Sequence, residues 1–427
     1  MAYKYYLSVT SQAPFCSTPL RLDAYSACQF GCAYCFAKSR GGNISSSQLR
    51  IADAKTLQDR LARVRRGELC SALDELLARR VPIQFGGMTD PFSPWELRHS
   101  ASLSLLSVLC DDDYPTLIST KSTIPALAEY ADVLSRGNFY IRFSITGADE
   151  GLTRELEAGV ASPTERLAAL GTLAQKGVAT SVRLQPLIVG HEDAAVDIIR
   201  AASEHGAKHV SAEYLKLPVE KALSQAKSLD RVLPRIRSEY ISKGARRVGR
   251  EYLLPAEEKL AGHEKLAVAA NDVGLLYGYA DNEFLLRNNF TSCCNASDQF
   301  LRGTSMFQGN ILSTIKSSAC SDIRFAELNL DHVTEFPMDN YLNSRSRVKL
   351  PSSATPKERW IALLRKKWNA PSWRGGPASF WGIVDTGKVD QNGDKIFKNI
   401  DTQSQQSLSS GSKTIASKTS MRSLSLT

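Results

Sequence analysis

The chain has 427 residues, 43% hydrophobic and 23% charged, the balance of a globular protein rather than a disordered or fibrous one. The N-terminus lacks an apolar run behind a basic start, and no stretch approaches the roughly 18 apolar residues of a membrane span, so the sequence reads as cytoplasmic. A net charge of +9 permits a polyanionic partner without requiring one.

In chain order, short apolar runs bounded by turn residues predict strands at 19–25, 81–85, 116–119, 140–145, 179–184 and 209–211. Helical patterns fill the intervals. Residues 46–66 place Leu49, Ile51, Leu57, Leu61 and Val64 on one broad face, and Gly67 supplies a stop. Residues 97–109, 124–134, 163–176 and 194–205 read likewise. Ser162 is a cap followed by Pro163 at the first helical position, and Gly177 ends that helix. Such alternation means parallel strands joined by right-handed crossovers. Six units make an α/β partial barrel of the TIM type, with a doubly wound open sheet as the alternative. In either, ligands belong at the carboxyl ends of the strands.

Beyond residue 212 the texture changes. Arg231, Arg235, Arg237, Lys243, Arg246, Arg247 and Arg250 crowd one stretch, and 357–374 is basic again. Trp360, Trp368, Trp373 and Trp381 cluster there. A helix over 356–367 would pack Trp360, Leu363 and Leu364 inward, whereas Trp373 is expected to be exposed, where an aromatic could stack on bases. From residue 401 the chain is rich in Ser, Thr and Gln and reads as a disordered tail. Three regions follow: a core over 1–220, a basic C-terminal extension over 221–400 as a candidate substrate-binding region, and the tail over 401–427.

Nine cysteines, unevenly spaced in a reducing compartment, point to metal or redox chemistry rather than to disulfides. Cys28, Cys32 and Cys35 fall on the loop after the first predicted strand, with Gly31 permitting a tight turn. An iron–sulfur cubane takes four thiolates, one per iron. Three on this loop would leave one iron open to a substrate or cofactor. The other readings are a zinc site completed from elsewhere and fortuitous buried cysteines. Zinc motifs usually come as two pairs, and no second pair of that form follows. Cys293, Cys294 and Cys320 are candidates for a second cluster, for a thiol near the substrate or for plain core packing. Cys16, Cys70 and Cys110 are read as structural.

The C-x3-C-x2-C spacing on the first strand-to-helix loop of a partial barrel resembles the signature of radical S-adenosylmethionine (SAM) enzymes. The string Gly86-Gly87-Met88-Thr89-Asp90-Pro91-Phe92-Ser93-Pro94-Trp95-Glu96 after the second strand is similar to the spore photoproduct lyase-like branch, also described as DNA repair photolyases. Supporting strings close the later strands: Thr120-Lys121-Ser122, Arg142-Phe143-Ser144-Ile145-Thr146, Arg183, and Glu213-Tyr214-Leu215-Lys216. Leu156-Glu157 through Arg166-Leu167 also matches, with Ala158 where proline is usual. The resemblance covers 17–220.

That resemblance implies a partial (β/α)6 barrel with a C-terminal extension and a 4Fe–4S cluster held by Cys28, Cys32 and Cys35. Its open iron would chelate the amino and carboxylate groups of SAM. SAM would then be cleaved to methionine and a 5′-deoxyadenosyl radical that abstracts hydrogen. Tyr34 would pack near the adenine, a simple core aromatic being the equal alternative. Gly86, Gly87, Thr89 and Asp90 would line the SAM site, the glycines by admitting its ammonium. Ser144 and Thr146 would offer hydroxyls to the ribose, and Arg183 would match the SAM carboxylate. Asp90 and Glu213 could also accept hydrogen bonds in the pocket. No residue is assigned as a catalytic acid, base or hydrogen donor. The implied partners are an electron donor such as a flavodoxin or ferredoxin, and nucleic acid, DNA before RNA, as substrate. A protein or peptide substrate is an alternative, and a non-enzymatic zinc- and nucleic-acid-binding protein is the reading from another class.

Overall fold

The computed structural model describes residue 3 and residues 6–35, 37, 49–219, 232–249, 251–289, 297–318, 322–342, 347–371 and 375–401. The six predicted strands are present as β2 (Leu20–Leu22), β3 (Ile83–Phe85), β4 (Thr116–Thr120), β5 (Phe139–Gly147), β6 (Ala179–Leu187) and β7 (His209–Tyr214). They pair in parallel, each with the next. A short β1 (Leu7–Val9) adds antiparallel to β2 at one edge. After β8 (Leu217–Pro218), β9 (Arg246–Val248) and β10 (Glu251–Leu253), which form a small sheet of their own, β11 (Leu276–Tyr279) adds in parallel to β7. The main sheet runs β1-β2-β3-β4-β5-β6-β7-β11. Strictly sequential order excludes the doubly wound alternative, in which strand order reverses at a switch point. β1 and β11 do not pair, so the barrel is partial and open on one side.

Alternation along the strands decides what the barrel holds. Leu20, Leu22, Ile83, Phe85, Ile141, Phe143, Val182, Leu184 and Val210 are fully buried in the main core. The residues between them, Arg21, Gln84, Ser119, Arg142, Ser181, Arg183, His209 and Ser211, lie on the opposite face. A half-polar sheet with its apolar side under helices therefore leaves a polar interior. Ser162 and Glu165 form the expected capping box, Ser162 Oγ accepting from Glu165 N at 3.2 Å and Glu165 from Ser162 N at 2.7 Å.

The amino end of the barrel is plugged. Tyr140 stacks on Phe300 with ring centroids 4.8 Å apart, and Leu117 and Leu301 are buried beside them. His209 Nδ1 lies 3.0 Å from Tyr140 Oη and 3.1 Å from Ser181 Oγ. Burial first, then the charges of Arg142 and Arg183, hold the His209 imidazole down at about 3. An unfolded chain takes up that proton near pH 6.5. His209 thus stabilises the fold above pH 6.5, and this contribution is lost as pH falls toward 3, at up to about 1.4 kcal/mol per pH unit. The urea midpoint of the wild type is expected to fall more steeply between about pH 6 and 4 than that of His209→Asn. Parallel profiles would contradict this.

In the C-terminal extension the helix Pro356–Trp368 starts with a Thr355–Glu358 capping box and buries Trp360, Leu363, Leu364 and Trp368. Trp360 Nε1 donates to Gly309 O at 2.9 Å and Trp368 Nε1 to Lys395 O at 2.8 Å. Trp381 packs on Phe284, with ring centroids 6.0 Å apart. Trp360 and Trp368 are therefore core residues, not stacking platforms. Trp368 meets Phe397 of the hairpin β12 (Ile383–Val389) and β13 (Lys395–Asn399). Trp373, Cys293, Cys294, Cys320 and the tail over 402–427 lie outside the described residues. Among the described residues, no helix is long and apolar enough to cross a membrane.

Candidate active site

The loops at the carboxyl ends of β2, β3 and β4 are tied to one another by buried polar groups. Asp23 Oδ1 accepts from Met88 N at 2.8 Å and Thr89 N at 3.2 Å, and its other oxygen pairs with Arg21 Nε at 3.0 Å. Thr89 Oγ1 donates to Tyr25 O at 2.8 Å. Asp90 Oδ1 accepts from Thr120 Oγ1 at 2.8 Å and Phe92 N at 3.0 Å, and Oδ2 from Lys121 N at 2.6 Å. Glu96, fully buried, takes Tyr25 Oη at 2.5 Å, Tyr130 Oη at 2.9 Å, and the N–H groups of Ser102 and Leu103, both at 2.9 Å. In this structure the Thr89–Glu96 stretch uses Thr89, Asp90 and Glu96 to join loops and cap a helix.

Gly86 sits at φ +89°, and a Cβ there would stand 2.6 Å from Ser119 O and 2.7 Å from Pro91 Cδ. Left-handed strain and overpacking together should cost Gly86→Ala about 2–5 kcal/mol. A fall in unfolding free energy of that size in urea checks it, and an unchanged value would show that the strand end tolerates a side chain.

The cysteine loop lies against this frame. Gly31 adopts φ +65°, and Ala33 N donates to Leu156 O at 2.9 Å, fixing the turn to the helix Glu150–Leu156. Cys32 is buried, Cys28 and Cys35 are half-buried, and none of the three forms a disulfide. Burial pushes the Cys28 thiol up to about 12; the Asp90 charge adds to this, while the backbone N–H groups of Phe30 and Asp90 oppose it. Burial likewise pushes Cys32 up to about 12, with Lys121 opposing and Glu157 and Cys35 adding. Cys32 adds to the rise at Cys28, and Cys35 adds to the rise at Cys32. Buried thiols of this kind become thiolates only beside a cation. Among the described residues, no group of three or more His, Cys, Asp or Glu side chains stands in a metal-holding arrangement. The residue types and the shared loop suit a thiolate-ligated group, while the sulfurs do not stand in a ligating arrangement in this structure.

Beside them stands Glu157, 3% exposed. Its Oε1 takes Lys121 Nζ at 2.9 Å and Thr146 Oγ1 at 2.8 Å, and also the Tyr34 hydroxyl. Its Oε2 takes Arg166 Nη2 at 2.7 Å, while Arg166 Nη1 donates to Ser144 O at 2.6 Å. Burial alone would raise this carboxyl, but Lys121, Arg166 and Tyr34 together hold it at about 2. Lys121 Nζ also lies 5.5 Å from the centre of the Tyr34 ring. Tyr34 and Thr146 are thus positioned by Glu157, one at the cysteine loop and the other on β5. In the sequence Glu157, Lys121 and Arg166 stand only as members of strings, Lys121 just after β4, Glu157 at the end of the helix Glu150–Leu156 and Arg166 within the helix Pro163–Gln175.

On the far wall, Arg183 Nη2 donates to Glu213 Oε2 at 3.3 Å. Gln185 and Lys216 also donate to Glu213. Ser144 is half-buried and is the Cα partner of Arg183. The expected site residues therefore lie at or near the carboxyl ends of β2 through β7, with Arg183 on the wall opposite the cysteine loop.

No family model matches the chain. It is 25% identical over 173 residues to uncharacterized proteins of Mycobacterium tuberculosis and Mycobacterium bovis, a match covering 39% of this chain and 49% of theirs. The chain thus spans about half the length of the curated relatives it matches. Among solved structures it is similar to spore photoproduct lyase in two variant forms. One matches with a TM-score of 0.50 and 16% identity, over 65% of this chain and 80% of that one. The other, holding a dinucleoside spore photoproduct, matches with a TM-score of 0.51 and 15% identity, over 65% and 81%. The fold is that of spore photoproduct lyase, the partial α/β barrel that the cysteine loop and strand-end strings led us to expect.

Proposed function

We propose that this chain is a radical SAM enzyme in which Cys28, Cys32 and Cys35 hold a 4Fe–4S cluster, and that it acts on nucleic acid, DNA first. The observation that carries the reading is a three-thiol loop at the carboxyl end of the first parallel strand of this fold. When bound, the cluster supplies the electron that splits SAM into methionine and a 5′-deoxyadenosyl radical. The chain's own part is to bind and orient. The Gly86–Gly87 strand end admits the SAM ammonium, Tyr34 flanks the adenine with its hydroxyl anchored on Glu157, and Ser144 faces the ribose. Thr89, Asp90 and Thr146 serve the cofactor indirectly, by holding loops and neighbours in place.

A nucleic-acid substrate is supported by the exposed Arg246 and Arg247 on β9, the outer strand of its small sheet. Exposed guanidiniums suit phosphate contacts, which would make binding fall steeply with salt. An electron donor such as a flavodoxin or ferredoxin completes the scheme. The test compares 5′-deoxyadenosine release without substrate and with intact DNA, ultraviolet-irradiated DNA and RNA. Stimulation by irradiated DNA alone supports lesion repair. Stimulation by RNA, or by neither nucleic acid, moves the substrate to RNA or to a protein. A colourless protein that takes up zinc and no iron would favour the non-enzymatic alternative.

A further inference from the structure

Inside the barrel, below the strand ends, polar atoms on β6 and β7 are left over by the contacts described above. Arg183 and Ser211 are Cα partners across these strands, and His209 lies two residues earlier on the same face. One such step is roughly 6–7 Å deeper along the strand. Arg183 Nε, Ser211 Oγ and His209 Nε2 are buried and have no hydrogen-bond partner among the described residues. Ser211 and His209 are both fully buried.

We propose that Arg183, Ser211 and His209 form an anion pocket within the barrel that receives a carboxylate or phosphate group of the substrate. The word substrate rests on the radical SAM reading; the pocket does not. The hydrogen-bond roles favour an anion. His209 Nδ1 faces two hydroxyls, and the Tyr140 phenol is the stronger donor of the two. With Tyr140 donating to Nδ1, the neutral ring would carry its proton on Nε2 and present it as a donor. Arg183 Nε–H and the Ser211 hydroxyl are donors too. A single water accepts at most about two of three such bonds and brings no charge. Charge points the same way. Glu213 is shared between Arg183 and Lys216, which leaves the Arg183 guanidinium able to take a second anion at Nε. Burial first, and then the charges of Arg142 and Arg183, lower the His209 imidazole. The Tyr140–Phe300 stack closes the amino end, so a ligand enters from the cysteine-loop side.

The sequence assigned Arg183 to the SAM carboxylate. Its neighbours at depth, Ser211 and His209, reassign it to the substrate, and one experiment separates the two. Binding of inorganic phosphate and of acetate to the reconstituted full chain would be measured by calorimetry, with SAM affinity in parallel, for wild type, Arg183→Gln and Ser211→Ala. Saturable binding of one anion is expected, weakened about tenfold or more in Arg183→Gln and several-fold in Ser211→Ala. SAM affinity should stay within about twofold. No saturation, or equal binding by all three proteins, would mean an adventitious ion only and overturn the pocket. A parallel loss of SAM affinity in Arg183→Gln would return the anion to the cofactor and overturn the substrate assignment. Failure of the radical SAM reading would look different: anion binding intact, with no 5′-deoxyadenosine from iron-loaded protein.

Discussion

Cys28→Ala, Cys32→Ala and Cys35→Ala should each remove the iron–sulfur chromophore and lower SAM cleavage roughly a thousandfold or more, about 4 kcal/mol of barrier. The reason lies in what the loop costs without a metal. Burial pushes the thiols of Cys28 and Cys32 up to about 12, so near neutral pH both carry protons. Only a cation that takes their charge makes them thiolates, and a group held by three ligands tolerates the loss of one poorly. Reconstitution should therefore release protons into a weakly buffered solution, and each variant should release fewer. The fold should persist, because Ala33 N on Leu156 O and Asp23 on Met88 N and Thr89 N hold the loops without the sulfurs. A loss of about 1 kcal/mol in stability is expected for buried Cys32. Variants that keep both chromophore and activity would refute the ligand assignment.

The second large effect concerns Glu157. Glu157→Gln leaves Lys121 and Arg166 facing a neutral amide in the interior, and removing one partner of a buried ion pair costs about 3–5 kcal/mol. The size agrees with the titration argument. Glu157 is held at about 2 against an ordinary 4.5, so it stabilises the fold above pH 4.5 by about 3 kcal/mol, and this is lost as pH falls toward 2. Equilibrium urea unfolding at neutral pH measures the cost directly. Adding Arg166→Met should recover part of it, because the second change removes one stranded cation. Iron retention should also fall in Glu157→Gln, since Tyr34, beside Cys35, loses its anchor. A stability change below about 1 kcal/mol would show that the network is dispensable.

Much of this was legible in the sequence because it is local. Each parallel strand is a short apolar run, and the cysteine spacing is complete within eight residues of one loop. β1 and β11 were missed because these short edge strands, Leu-Ser-Val and Leu-Tyr-Gly-Tyr, are not set in a continuous apolar run. Among the site residues, Asp90 and Thr89 look like ligand groups in a string, yet hydrogen bonds to distant loops employ them. A sequence shows that a carboxylate stands at a strand end, not whose N–H groups it will accept. Glu157 with Lys121 and Arg166 was hidden because its partners lie 36 residues before and 9 after, and only the barrel brings them together. His209 and Ser211 read as ordinary strand residues, since nothing local says that their face of β7 turns into the barrel beside Arg183. Trp360 was expected inside and is, whereas Trp368, placed in the basic cluster, proved equally buried.

The most direct test of the central claim is 5′-deoxyadenosine release by the anaerobically reconstituted, reduced full chain with SAM, wild type beside Cys32→Ala. Release by the wild type and none by the variant is the predicted result. No release from wild-type protein shown to carry its full complement of iron would contradict the account.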